Sequence, residues 1–203
     1  MSGVWAVVPA KAASQAKSRL AGVLSGRARR ALAERLLRHV LEVVIATVGA
    51  PRTIVVSRDA GVLALARAHH AVPLRERGRS DLNRALRQGA KRAAQGGARA
   101  VLLVFGDLPE LRPAELAAMI GAAQRRRTVV AAPDRAGTGT NALLVAPTDA
   151  IAFRFGPRSL ARHRRAALRG GCRWRVAEAP GLAFDVDRPA DYRALARVLQ
   201  SGG

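Results

Sequence analysis

The chain is poor in cysteine, aromatic residues, acids and long apolar runs. Cys172 is its sole cysteine, and one thiol can neither close an intrachain disulfide nor build a thiolate metal site, which fits a reducing compartment. No apolar stretch nears the roughly 20 residues of a membrane span. The opening MSGVWAVVPAKAA has no basic residue ahead of its apolar part and is interrupted by Lys11, unlike a signal peptide, so a cytoplasmic protein is expected. Aromatics make up 3% of residues, which leaves few rings to stack on bases and weighs against a basic nucleic-acid-binding module. No nucleophilic triad is visible either. Cys172 sits in GGCRW without a base, and His39, His69 and His70 fall in helices or at their ends.

The shortage of acids shapes the rest of the reading. Against 35 Lys+Arg stand 14 Asp+Glu, a net charge of +21, and the only lysines are Lys11, Lys17 and Lys91. A surplus of this size favours anionic partners without choosing among nucleotides, phosphorylated metabolites and nucleic acid. Nearly half the residues are apolar and spread throughout, enough for a core, and 203 residues suit a single domain over 1–203.

Apolar runs alternate with helical periodicity along the chain. VWAVVP (Val4 to Pro9), TIVVS, AVLLVF, TVVAA and ALLVA read as buried strands. Helices are expected through Leu32 to Thr47, over DAGVLALARAH, from Asp81 to Ala94, after Pro113, from Arg158 to Arg169 and from about Pro189. Late strands are expected at RWRVAE and LAFDV. Continuous apolar strands between helices predict an α/β fold, a mainly parallel but mixed sheet flanked by helices. Ligands then belong beyond the carboxyl ends of the strands.

Such ends fall after Val8, Phe105, Ala132 and Val186. In LAFDVDRPADY, Asp185 and Asp187 stand two apart; on a strand they would face one side, about 6.5 Å apart, where both could meet one cation. Asp107 in FGDLPE offers a third carboxylate after another strand, a set suited to Mg²⁺. The bland alternative is that Asp187 caps the last helix and Asp107 opens a turn. PAKAASQAKSRLA brings Lys11, Lys17 and Arg19 after the first strand among small residues, suited to phosphate although no Walker A spacing is present. GTGTNA lies between two strands, so it is no dinucleotide fingerprint; its backbone suits an anion or a tight turn. FGPRSLARHRR places Gly156 and Ser159 at a helix start, a second phosphate pocket, and His163, alone among arginines, is expected at the surface.

In this order VVPAKAASQAKSRL, SDLNRAL, FGDLP, GTGTNALL, FGPRSLARH and FDVDRPADY closely resemble the guanylyltransferases of coenzyme F420 biosynthesis, the CofC/FbiD family, from Val4 to about Leu195. The resemblance implies a Rossmann-like nucleotidyltransferase domain of the GT-A/MobA type. It also implies transfer of GMP from GTP to a phosphorylated three-carbon acid (phosphoenolpyruvate, 2-phospho-L-lactate or 3-phospho-D-glycerate), with release of pyrophosphate. Carried over by position, it implies Mg²⁺ on Asp107, Asp185 and Asp187, with GTP phosphates gripped by Lys17 and Arg19. Asn83 would lie near the nucleotide, and Thr140, Gly156 and Ser159 would hold the acceptor. It implies a product passed to the next enzyme of the F420 route, no nucleic-acid or membrane partner, and room for a homodimer. Two motifs depart from the family pattern: VPAK replaces the commoner LPVK, which weakens any role for Lys11, and FGDLP replaces ADLP. The rivals are a nucleotidyltransferase with another nucleotide or acceptor, and a basic nucleic-acid-binding module.

Overall fold

The computed structural model describes residues 3–12, 17–123 and 127–201. Residues 13–16, in the middle of the expected phosphate loop, lie outside the described residues. The chain alternates strand and helix in the order β1 (Val4–Pro9), α1 (Gly26–Val48), β2 (Thr53–Ser57), α2 (Ala60–Ala68), β3 (Val72–Arg75), α3 (Leu82–Gln95) and β4 (Ala100–Val104). There follow α4 (Pro113–Gly121), β5 (Thr128–Pro133), β6 (Thr140–Ala146), α5 (Ser159–Arg169), β7 (Arg173–Val176), the single turn α6 (Pro180–Ala183) and α7 (Pro189–Ser201). Several scarce acids are spent on helix starts: Asp59 and Asp81 accept the Val62 and Arg84 amides at 2.9 and 2.8 Å, and Ser25 serves α1 in the same way.

The seven strands form one sheet in the order β3-β2-β1-β4-β6-β5-β7. β1 pairs in parallel with β2 and β4, β2 with β3, and β5 with β7; β6 runs antiparallel to both neighbours, β4 and β5. The mixed sheet expected from the late strands is therefore present, but the reversed strand is β6, and β7 is parallel to its partner. Alternation along β1 shows how both faces are covered. Ala6 and Val8 join the cluster under α1, α2 and α4, with Val40, Leu41, Val62, Leu116 and Met119, whereas Val7 joins α3 through Leu86 and Ala90. No helix among the described residues is long and apolar enough to cross a membrane.

Two element predictions need correction. β3 carries no strand signal in the sequence because it is a four-residue edge strand with Pro73, a residue tolerated at edges and absent from the interior of sheets. LAFDV forms no strand. Pro180–Ala183 makes one helical turn, Phe184 is extended, and residues 184–187 join no ladder. Both edges of β4 are already taken by β1 and β6, so this segment lies across the carboxyl ends of the sheet, tied by a bond from the Val186 amide to the Asp107 carbonyl at 3.2 Å. Asn141 replaces part of the missing ladder, its Nδ2 donating to the Leu182 and Ala183 carbonyls at 3.0 and 3.3 Å. Gly181 lets the turn lie against residue 110, because a Cβ there would collide with the Glu110 carbonyl oxygen.

Candidate active site

The reversal of β6 makes the site. Its first residues, Thr140 and Asn141, arrive at the edge where β1 and β4 end, and the Phe105 amide donates to the Asn141 carbonyl at 3.2 Å. A cavity of about 900 Å³ opens there. Lys17, Arg19, Asp107, Thr140, Gly156, Ser159, Asp185 and Asp187 all line it. Asn83 does not.

A small apolar cluster aims the charged side chains. Leu20, Leu36, Phe184, Val186 and Leu195 are buried together, which packs the turn after β1 against the 184–187 segment. Although no strand forms, the side chains of that segment alternate: Phe184 and Val186 go into the cluster, and Asp185 and Asp187 face the cavity. Arg19, one residue before Leu20, then reaches Asp187 at 2.6 Å, an exposed pair. Lys17 holds Asp107 at 2.7 Å with only 7% of its own side chain exposed, so little water screens this charge-assisted bond. Asp191 takes the Asp187 and Arg188 amides at 3.2 and 2.8 Å, and the Asp187 carboxylate meets Arg19.

Asp185 is the unsettled group. Burial raises its pKa above the usual aspartate value, and the neighbouring Asp107 carboxylate raises it further; an Asn141 amide bond at 3.3 Å opposes this. Two carboxylates held close in partly dry surroundings make a place for a cation. Among the described residues, however, no three His, Cys, Asp or Glu side chains gather closely enough to form a ligand cluster. Asp107, Asp185 and Asp187, the three carboxylates expected to hold magnesium, all line the cavity, and Asp187 is engaged by Arg19. Asp185 and Asp187 keep the shared facing expected of residues two apart, although the segment is no strand.

Asn83 also departs from expectation. Its amide clamps a backbone: Nδ2 donates to the Phe155 carbonyl at 3.1 Å and Oδ1 accepts the Phe155 amide at 2.8 Å. It fixes the segment leading to Gly156, whose φ of +119° is open to glycine and strained for other residues. His163, expected at the surface, is completely buried. Ser159, His163 and Ala167 form the buried stripe of α5. That spacing of four was visible in the sequence, masked by the arginines on either side. The His163 Nδ1 lies 3.3 Å from Thr140 Oγ1, and the Ser159 hydroxyl is 3.1 Å from the same oxygen.

A nucleotide-sized cavity at the carboxyl edge of a mixed sheet, with cations and a carboxylate pair on its wall, suits phosphate transfer. Sequence comparison decides the family: the profile described as "Guanylyl transferase CofC like" matches residues 4–198. The chain belongs to that family. Among its relatives is the phosphoenolpyruvate guanylyltransferase of Rubrobacter xylanophilus, 46% identical over 98% of this chain and 95% of that protein. The 3-phospho-D-glycerate guanylyltransferase of Phenylobacterium zucineum is 37% identical over 95% and 89%. A solved nucleotidyl transferase from Methanothermobacter shares 20% identity over 100% of both chains with a TM-score of 0.68, which speaks to the fold. This guanylyltransferase therefore has the Rossmann-like nucleotidyltransferase architecture implied by its motifs.

Proposed function

We propose that this guanylyltransferase joins GMP from GTP to phosphoenolpyruvate, in the route to coenzyme F420, with release of pyrophosphate. The observation that carries the acceptor is the 46% identity, over nearly the full length of both chains, to a phosphoenolpyruvate guanylyltransferase. The cavity supports the chemistry: Lys17, Arg19, Thr140, Gly156 and Ser159 bring cations, hydroxyls and a glycine backbone to one space beside Asp107 and Asp185.

The acceptor's phosphate oxygen attacks the α-phosphorus of GTP as the bond from that phosphorus to the β-phosphate bridging oxygen breaks, and pyrophosphate leaves. The attacking oxygen is already anionic, so no general base is needed, in keeping with the lack of a base beside a nucleophile in the sequence. What the protein supplies is alignment and charge. Lys17 and Arg19, now neutralising Asp107 and Asp187, are the cations that turn to the nucleotide phosphates. Thr140, Gly156 and Ser159 hold the acceptor. Asp107 and Asp185 would hold Mg²⁺, with Asp187 joining once Arg19 leaves it. Bound there, the ion would neutralise charge on the transferring phosphoryl group. A cytoplasmic setting and delivery of the product to the next enzyme of the route belong to the same proposal.

The 37% identity to a 3-phospho-D-glycerate enzyme favours that acid as the alternative acceptor. Mass spectrometry of the product made from GTP and Mg²⁺ with an equimolar mixture of phosphoenolpyruvate, 2-phospho-L-lactate and 3-phospho-D-glycerate separates them. The phosphoenolpyruvate adduct is expected to dominate. Predominance of either other adduct rejects the acceptor, and absence of pyrophosphate with all three rejects the reading.

A further inference from the structure

His163 lies behind the cavity wall, outside the group of residues that line it, and its ring leaves no freedom of tautomer. The Arg154 amide donates to Nε2 at 2.9 Å. A backbone N–H can only donate, so the neutral imidazole carries its proton on Nδ1 and donates it to Thr140 Oγ1 at 3.3 Å. The ring stays neutral. Burial, and then Arg162, lower its pKa from 6.5 to about 4, and its edge packs on Phe155 with ring centroids 4.6 Å apart.

Counting protons shows what this arrangement does for Thr140 and Ser159, whose hydroxyls are 3.1 Å apart and both line the cavity. The two hydroxyls own two protons, and one is used in the bond between them. If Nδ1 were an acceptor, it would draw off the second. Because Nδ1 donates, the second proton stays free on Thr140 or Ser159. We propose that His163 is a positioning residue whose tautomer, locked by the Arg154 amide, turns the Thr140–Ser159 pair into a net hydrogen-bond donor for an anionic group of the acceptor acid. The inference rests on the assignment of these two residues to the acceptor.

Steady-state kinetics of two variants test it. In His163→Asn the carboxamide keeps a donor at the Nδ1 position and loses the acceptor for Arg154; in His163→Gln it keeps the acceptor and loses the donor to Thr140. Each gives up one buried bond, so a structural role alone would affect them alike. The Gln variant is expected to raise the phosphoenolpyruvate KM about ten-fold, the loss of one hydrogen bond to a charged group. The Asn variant should remain near wild type, with the GTP KM unchanged in both. Equal effects in the two variants, or none in either, overturn the proposal. A second readout needs no variant: in ¹H–¹⁵N spectra of the wild-type protein, the imidazole that does not titrate between about pH 5.5 and 8 should carry its proton on Nδ1. A proton on Nε2 overturns the proposal. Failure of wild-type turnover with every acid would instead count against the function proposed above, and the tautomer measurement would still decide the role of His163.

Discussion

At Asp185 stability and the proposed activity are expected to pull apart. Its pKa is raised in the folded protein by burial and by Asp107, so the folded state holds its proton more tightly than the unfolded chain does. At neutral pH the ionised carboxylate therefore costs stability, a cost that fades as pH falls through the folded pKa. Asp185→Asn keeps an oxygen for the Asn141 amide and removes the repulsion. Calorimetry of the free protein should show a higher melting temperature, while guanylyl transfer falls at least about a hundred-fold, as for lost electrostatic stabilisation of a transition state. A lower melting temperature alongside the lost activity would mean that the carboxylate serves the fold. The acids were legible in the sequence because they are scarce and stand at strand tips. Their true partners were not, since Lys17 meets Asp107 from 90 residues away and Arg19 meets Asp187 from 168.

At the scale of elements, the Gly156 and Ser159 wall of the cavity, which the proposed function gives to the acceptor, depends on a clamp between α3 and the segment before α5. Asn83, in the first turn of α3, closes two bonds on the Phe155 backbone, and Phe155 in turn packs against Phe105 with ring centroids 5.2 Å apart. Asn83→Ala leaves both Phe155 backbone groups to find new partners, which should cost about 1–3 kcal/mol in urea unfolding. It should also raise the acceptor KM and leave the GTP KM unchanged, because the loosened segment carries Gly156 and Ser159. A rise in the GTP KM alone would restore the nucleotide contact expected from the sequence. The contrast shows which elements can be read from a chain. Strands such as Ala100–Val104, buried on both faces, announce themselves as unbroken apolar runs. Residues 182–186 (LAFDV) are also mostly apolar, but whether they join a sheet depends on a free edge, and the occupancy of edges is a property of the assembled fold.

For the whole molecule, the buried neutral histidine ties stability to pH. The His163 pKa falls from 6.5 to about 4 on folding, so between those values the unfolded chain binds a proton that the folded protein does not. The contribution of His163 to stability therefore stands at its full value above about pH 6.5, declines as pH falls through the window, and is lost below about pH 4. A shift of this size is worth about 3 kcal/mol, a large share of the stability of an ordinary domain. The net charge of +21 acts in the same direction, since each proton gained adds to the self-repulsion of an already basic surface. Asp185 acts against it, which makes Asp185→Asn the better background for the measurement. Urea unfolding from pH 7.5 to 4 should show a steep loss of stability in that background. Adding His163→Asn should remove most of the slope between pH 6.5 and 4, whereas an unchanged slope would assign the acid sensitivity to the arginine-rich surface as a whole.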